Sequence, residues 1–406
     1  MAFFQYRARN SQGQLNQGRL EAASRDAAAD NLLNAGLIPI SIKEVKASAK
    51  TGIQWQQFIH GRVKLETLLI LCRQFSSLTR AGIPILRIVE GLRDTTDNKV
   101  LSDALNNVVE SLNQGQTLAN ALAAYPHIFN SLFISLVEVG ESTGQLEQAF
   151  LQLSHYFQLE LDTRRRVKAA MRYPMFVCIV MVLAMIVINI YVIPAFTGIF
   201  ASLGSDLPWT TRFLMGTSDF FVNYIAYLVI GLLLLSFMWW RYIHTKAGRL
   251  RWHYWLLRIP IVGPLIKRIL LARFCRSFAM MLQAGVPIVR VLTLAGTATS
   301  NDYLTKAILG MGEQLASGSS LSRVAEQSRV FTPLILQMFK VGEETGRVDE
   351  MVMEAGKFYE EEVDYDVANL TSKIEPILIV GIAVMVLILA LGIFTPMWDM
   401  MDLVGN

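Results

Sequence analysis

The sequence predicts an all-α membrane protein: two repeated cytoplasmic helical bundles of about six helices each, three transmembrane helices, and a small α+β head at the N-terminus. Three observations carry that prediction. Hydrophobic residues make up 53% of the 406 and charged residues only 17%, against about 25% charged in ordinary soluble domains. The apolar residues are gathered in blocks. No charge falls between Arg172 and Asp206, 21 uncharged residues separate Asp219 from Arg241, and 23 separate Glu375 from Asp399. Each block meets the roughly 20 residues that cross a hydrocarbon core about 30 Å thick. The third observation is an internal repeat spanning most of the chain.

Residues 1–45 read as the α+β head. Phe4–Ala8 alternates, Asn10–Gly13 turns, and Gly18–Ala22 returns, as a hairpin does. Ser24–Ala35 reads as a short helix capped by Ser24 and ended by Gly36, with Ile38–Ile42 as a third strand. A polar linker, 46–62, follows.

The first bundle is expected at 63–173. Its helical signal is clearest where Leu146, Ala149, Phe150, Leu153, Phe157 and Leu161 recur at helical spacing. Turn signals at Ala81-Gly82-Ile83-Pro84, Gly115, Tyr125-Pro126, Gly140 and Gly144 divide the segment into about six short helices. The second bundle, 241–375, repeats this pattern. Ala81-Gly82-Ile83-Pro84-Ile85 returns as Ala284-Gly285-Val286-Pro287-Ile288, and Cys72-Arg73 with Phe75 as Cys275-Arg276 with Phe278. Gly115-x-Thr117-Leu118 returns as Gly318-x-Ser320-Leu321. Val139-Gly140-Glu141-x-Thr143-Gly144 returns as Val341-Gly342-Glu343-x-Thr345-Gly346. The match continues into the apolar blocks, pairing Pro174 with Pro376 and Pro194 with Pro396.

The spans are placed at 174–196, 220–240 and 376–398, with 197–219 and the tail 399–406 outside the cell membrane. Lys and Arg number 19 in 1–174, one in 197–219, 17 in 241–375 and none after 397. By the positive-inside rule both bundles and the N-terminus are cytoplasmic. The same rule accounts for the basic runs, so no nucleic-acid partner is expected. Met1–Arg7 lacks the apolar core of a signal peptide, which leaves the first span as anchor. Cys72, Cys178 and Cys275 read as reduced thiols.

Chemical motifs are few. Gly140-Glu141-Ser142-Thr143-Gly144 fits the spacing of a hydrolase nucleophile elbow, but its flanks are helical and the repeat places Glu344 at the Ser142 position. No phosphate-binding loop of the form G-x-x-x-x-G-K-[ST] occurs. Glu141 and Glu343, at equivalent turns, are expected as solvated or helix-capping carboxylates. No metal or other cofactor is predicted. The spans hold no Asp, Glu, Lys, Arg or His, which argues against a polytopic transporter or channel subunit, the alternative reading, and against a membrane-embedded peptidase. Pro174 and Pro376 are expected in the first turn of their helices, and Pro194 and Pro396 to end or kink them. Glu375 is expected either to cap the third span or to pair with a cation on a partner's helix. The acidic run Glu360–Asp366 stands where the first copy has Arg164–Arg166, an opposition that suits recognition between the two bundles or between subunits.

Taken together, the Ala-Gly-[Ile/Val]-Pro turns, the two Val-Gly-Glu-x-Thr-Gly turns and Glu375-Pro376 at the last span resemble the type II secretion F family. These are the inner-membrane platform proteins of type II secretion systems and type IV pilus machines. The likeness covers about 65–400, and the head also resembles the family's. The ending Gly392–Trp398 leans towards members from mannose-sensitive haemagglutinin pili. The resemblance implies a non-enzymatic platform in the bacterial inner membrane that couples a hexameric secretion or assembly ATPase to pilus or pseudopilus growth. Its implied partners are that ATPase, the transmembrane helices of pilins or pseudopilins, other inner-membrane assembly components, membrane lipid, and further copies of itself. Carried over residue by residue, the partner-interface positions are Gly140, Glu141, Gly144, Gly342, Glu343 and Gly346. The membrane-entry and exit positions are Pro174, Glu375, Pro376, Pro194 and Pro396. Some relatives carry an acid where Gln145 stands, a departure that leaves a metal unpredicted there.

Overall fold

A computed structural model describes residues 2–9, 15–22, 29, 38–45, 63–192, 224, 227, 230–231 and 233–404. The turn Asn10–Gly13, all of the expected helix Ser24–Ala35 except Ala29, the linker, the connection 197–219, Pro194 and most of 220–232 lie outside the described residues. The chain divides into two compact units, 1–62 and 63–406.

In the first unit, strands β1 (Ala2–Arg9), β2 (Leu15–Ala22) and β3 (Ile38–Val45) form an antiparallel sheet of order β2-β1-β3. The register of β1 on β3 slips between Arg7 and Ala8, where Ala8 faces Pro39. Proline has no N–H for the ladder, and β3 is an edge strand, the place in a sheet that tolerates it.

The second unit is helical. The first repeat contains α1 (Leu65–Arg80), α2 (Ile85–Thr95), α3 (Lys99–Asn113), α4 (Leu118–Ala123), α5 (Ser131–Ser142) and α6 (Leu146–Ala170). A one-residue break at Met171 leads into α7 (Arg172–Val187), which widens to a π-turn over Ile188–Val192. Residues 233–243 are helical and lead to α8 (Lys246–Leu256). Between α8 and the next helix, Val262 N–H donates to Pro260 C=O at 2.8 Å around Ile261, whose φ is 68°. That γ-turn is a strained conformation for a β-branched residue. The second repeat follows as α9 (Val262–Gln283), α10 (Ile288–Ala298), α11 (Asp302–Ala316), α12 (Leu321–Ser328), α13 (Pro333–Thr345) and α14 (Val348–Ala368). Asn369 breaks the chain briefly before α15 (Leu370–Val404).

Equivalent side chains fill the two bundle cores. Cys72, Phe75, Phe133 and Phe150 are buried in the first copy, and the rings of Phe75 and Phe150 stack 3.9 Å apart. Cys275, Phe278, Ile335 and Val352 take these places in the second copy, where Phe278 also lies edge-on to buried Phe339 at 5.6 Å. The aromatic interior holds each set of helices together, since most of them are too short to be stable alone.

Two features depart from expectation at the membrane. The bundles and spans are not separate elements, because α6 runs on into α7 and α14 into α15. Among the described residues, Leu146–Val187 and Val348–Leu387 are the two stretches long and apolar enough to cross a membrane. Their apolar side chains are exposed, as on Phe176, Val182, Ile379 and Val380, which suits a lipid surround. The third expected span, 220–240, is only partly described.

The prolines also behave differently. Pro174 is the third residue of α7, in its first turn. Pro376, however, is the seventh residue of α15, beyond its first turn, and Glu375 as the sixth does not cap that helix. The helix starts early because Leu370 and Ile374 pack with Leu265, Val363, Val367 and Val167. This apolar cluster holds the segment helical ahead of the proline. Nor does Pro396 end its helix, which continues to Val404. Frayed backbone would leave polar groups unpaired in hydrocarbon, so the helix stays wound past the missing N–H.

Candidate functional site

The two Gly-Glu turns, which close α5 and α13, are built alike. Thr143 Oγ1 donates to Val139 C=O and Thr345 Oγ1 to Val341 C=O, both at 2.8 Å, tightening the last helical turn. Gly144 at φ 72° and Gly346 at φ 71° then reverse the chain in the left-handed region, where a side chain is strained. Gly140 and Gly342 serve a different purpose. A Cβ on Gly140 would lie 2.7 Å from Ala149 Cβ, and one on Gly342 2.7 Å from Val348 Cα. Each lets the next helix, α6 or α14, fold back against the end of the one before.

The glutamates between them reach across the bundle. Leu118 N–H donates to Glu141 Oε1 at 2.7 Å and Ala119 N–H to Oε2 at 3.0 Å. In the second copy Leu321 N–H donates to Glu343 Oε1 at 2.8 Å, Ser322 N–H to Oε2 at 3.2 Å, and Ser322 Oγ to Oε2 at 2.6 Å. Each carboxylate therefore caps the unpaired N–H groups opening a short helix, α4 or α12, and its charge opposes the positive end of that helix. Two separate repeat motifs, Gly-x-[Thr/Ser]-Leu and Val-Gly-Glu-x-Thr-Gly, are thus the two halves of one contact. Partial burial would raise the Glu343 carboxyl, but the Ser322 hydroxyl and the two backbone N–H groups outweigh it and hold it below its usual value. Ser142 Oγ donates to Val139 C=O at 3.0 Å, and the turn leads into a helix on both sides, the wrong setting for a nucleophile elbow.

The bundles meet along a polar seam that the sequence reading only partly saw. Arg273 makes a two-pronged pair with Glu160, at 2.8 and 3.0 Å, with side chains 16% and 11% exposed. The same guanidinium donates to Thr299 C=O at 3.3 Å. Arg290 pairs with Glu138 at 2.6 Å, and Arg166 pairs with Asp364. That last pair brings the basic run of one copy to the acidic run of the other. Beside Glu160 and Arg273 lies a cavity of about 310 Å³ lined in part by Asn130, Tyr156 and Thr297.

A signal for the seam was present in the repeat. Arg73 and Arg276 correspond, and each bonds the equivalent position of the last bundle helix, Gln158 at 3.0 Å and Glu360. Burial pushes the Glu360 carboxyl up in spite of the attraction of Arg276. Arg273, by contrast, corresponds to exposed Ile70, so a position that is apolar in one copy and charged in the other is where one copy grips the other. Pro174 is buried where α6 meets α7. Glu375 is exposed and has no ion pair or hydrogen bond among the described residues. Pro194 lies outside the described residues.

This duplicated architecture has known relatives. Residues 71–194 and 274–396 match the family described as type II secretion system protein F, and 1–43 match that protein's N-terminal domain. The type IV pilus assembly protein PilC of Thermus thermophilus is 31% identical over 98% of both chains. PilC of Myxococcus xanthus is 29% identical over 98% of this chain and 95% of its own. The type II secretion system protein F of Vibrio cholerae is 27% identical over the full length of both. None of these three names is a haemagglutinin pilus protein, so that leaning rests on the sequence ending alone. The matched residues fall in both copies of the repeat and in the head and cover more than half of the chain, and the chain belongs to the type II secretion system protein F family.

Proposed function

We propose that the chain is a non-enzymatic inner-membrane platform that couples a cytoplasmic secretion or assembly ATPase to growth of a pilus or pseudopilus from membrane-held pilins. The observation that carries this reading is helix continuity: the last helix of each bundle, α6 or α14, passes into an apolar helix after a single break residue. A push on either bundle therefore has a stiff path to the bilayer. The names of the relatives, which divide between pilus assembly and secretion, support the setting. Three spans and two cytoplasmic bundles complete the reading, with 220–240 as the middle span. It rests on charge asymmetry across the apolar blocks.

The two Gly-Glu turns are the proposed docking points for the ATPase, acting as a related pair. The carboxylates of Glu141 and Glu343 are engaged in capping, so the side chains left to make contact are their exposed neighbours, Ser142 and Glu344. A photo-crosslinking residue placed at Ser142 or at Glu344 in the full chain tests this. An ATPase adduct at one or both turns is expected. A chain that still retains the ATPase in a pull-down but forms no adduct at either turn places the docking surface elsewhere.

A further inference from the structure

From Phe220 to Asn301 the chain runs 82 residues without one Asp or Glu while carrying ten Lys and Arg. Five of the ten are matched by acids from elsewhere in the fold: Arg249 by Asp302, Arg268 by Asp366, Arg273 by Glu160, Arg276 by Glu360 and Arg290 by Glu138. Arg241, Lys246, Arg251, Arg258 and Lys267 have no acid partner among the described residues. The first four of these are exposed. Arg251 donates only to the Tyr242 hydroxyl, at 3.3 Å, and Arg258 lies 4.3 Å over the ring of Tyr254.

The four exposed unmatched cations sit among exposed aromatic rings, on and beside α8. Trp255 is 66% exposed, and Trp239, Trp240 and Tyr242 are exposed as well. Trp239 meets Trp252 edge-on at 5.5 Å, tying the apolar helical stretch before it to α8. One side of α8 is fixed to the second bundle, through the Arg249–Asp302 pair and Asp302 N–H donating to His253 Nδ1 at 2.9 Å. Arg251 and Trp255, one turn apart, lie on another side and are left uncovered.

Exposed indole and phenol rings mixed with unpaired cations, directly after an apolar stretch, match the chemistry of a bilayer interface. Rings of this kind favour headgroup depth, and cations there are drawn to an anionic surface. Water offers the rings nothing comparable, and among the described residues no acid competes for the cations. We propose that α8 and the residues leading into it form an interfacial helix that binds anionic phospholipid headgroups. Arg241, Lys246 and Arg251 engage the phosphates, and Trp240, Tyr242 and Trp255 sit among the headgroups. The bound leaflet then fixes the tilt of the second bundle, because α8 is pinned to Asp302 at the start of α11. The inference rests on the membrane reading given above.

The test uses the full chain in nanodiscs of phosphatidylcholine alone and of phosphatidylcholine with one third phosphatidylglycerol, following amide exchange over 246–256. Exchange is expected to be several-fold slower in the anionic discs, with the difference shrinking at high salt. The difference is expected to vanish in the triple variant Arg241→Gln, Lys246→Gln, Arg251→Gln, and to persist in Arg241→Lys, Arg251→Lys. Equal exchange in the two discs, or a difference that survives the triple Gln variant, overturns the proposal. So does slowing by soluble glycerol phosphate in phosphatidylcholine discs, which marks a site for free phosphate. Quenching by brominated phospholipid, taken as the difference between the parent chain and Trp255→Phe, is a second measurement independent of the charge variants. Absence of quenching at Trp255 overturns the proposal too. A chain that does not enter discs at all fails the membrane reading first, and this inference with it.

Discussion

At Gly140 and Gly342 the same backbone need is met against different neighbours, and that difference can be tested. Gly140→Ala places a methyl 2.7 Å from Ala149 Cβ, whereas Gly342→Ala places one 2.7 Å from Val348 Cα. Each substitution is expected to destabilise the chain by about 1–3 kcal/mol, the usual cost of overpacking. Adding Ala149→Gly should recover much of the loss at Gly140. No side-chain change at Val348 should recover Gly342→Ala, because its obstacle is backbone. Thermal unfolding in detergent reads both, and equal rescue at the two sites would contradict the geometry. Glu343 supplies a pH dependence. Its folded carboxyl is held below its ordinary value near 4.5, so the unfolded chain binds the proton more readily. The stabilisation is then complete above about pH 4.5 and lost as pH falls through the folded value. Glu343→Gln should unfold more easily than the parent at neutral pH, by about 1 kcal/mol as for a lost cap, and the gap should close in acid. A gap that widens in acid would show the sign to be wrong.

Among the elements, the seam between the bundles differs in kind from their interiors. Aromatic rings fill each core, whereas Glu160–Arg273, beside a cavity, Glu138–Arg290 and Arg166–Asp364 join the two copies. The pair Glu160–Arg273 is largely buried, so removing one partner leaves a charge without compensation. Glu160→Gln is expected to cost about 3 kcal/mol at the seam. The double change Glu160→Leu, Arg273→Met should cost clearly less, since no orphaned charge remains. Amide exchange over α6 and α9 is the measurement, and a double variant looser than the single would sink the account. The repeat made the bundles legible, because helical periodicity and turn glycines act within a few residues. It showed one part of the seam, the opposed charge runs that meet as Arg166–Asp364, and not the Glu160–Arg273 pair, although the contrast of Ile70 with Arg273 was available to be read.

For the whole molecule, the expectation that follows from the charge distribution is topology. Reporter fusions at Gly204 and after Asn406 should report the outside, and a fusion at Gly318 the cytoplasm. A cytoplasmic signal at the C-terminus would reverse the orientation of the last span and remove the paired-bundle reading. The continuity of α6 with α7 and of α14 with α15 gives that topology mechanical meaning. It was hidden by Pro174 and Pro376, which read as boundaries in the sequence. Around Pro376 the cluster of Leu265, Val363, Val367 and Leu370 overrides that local signal.

The sequence by itself determined the helical class, the duplication, the apolar blocks and the motif turns. Those properties arise from residues close together in the chain, whose spacing sets which face is apolar and where the backbone can reverse. Tertiary structure alone decided which groups meet across long separations. Glu141 finds the N–H groups of Leu118 and Ala119, 23 and 22 residues back, and Glu160 finds Arg273 113 residues on. Glu141 and Glu343 looked like exposed contacts or caps, and only packing could choose the caps, because it sets the start of α4 or α12 beside the carboxylate. A carboxylate's reach is a few ångströms, whereas the chain between such partners runs for tens of residues. Which partner lies within that reach is therefore a property of the folded packing, with no trace in local spacing.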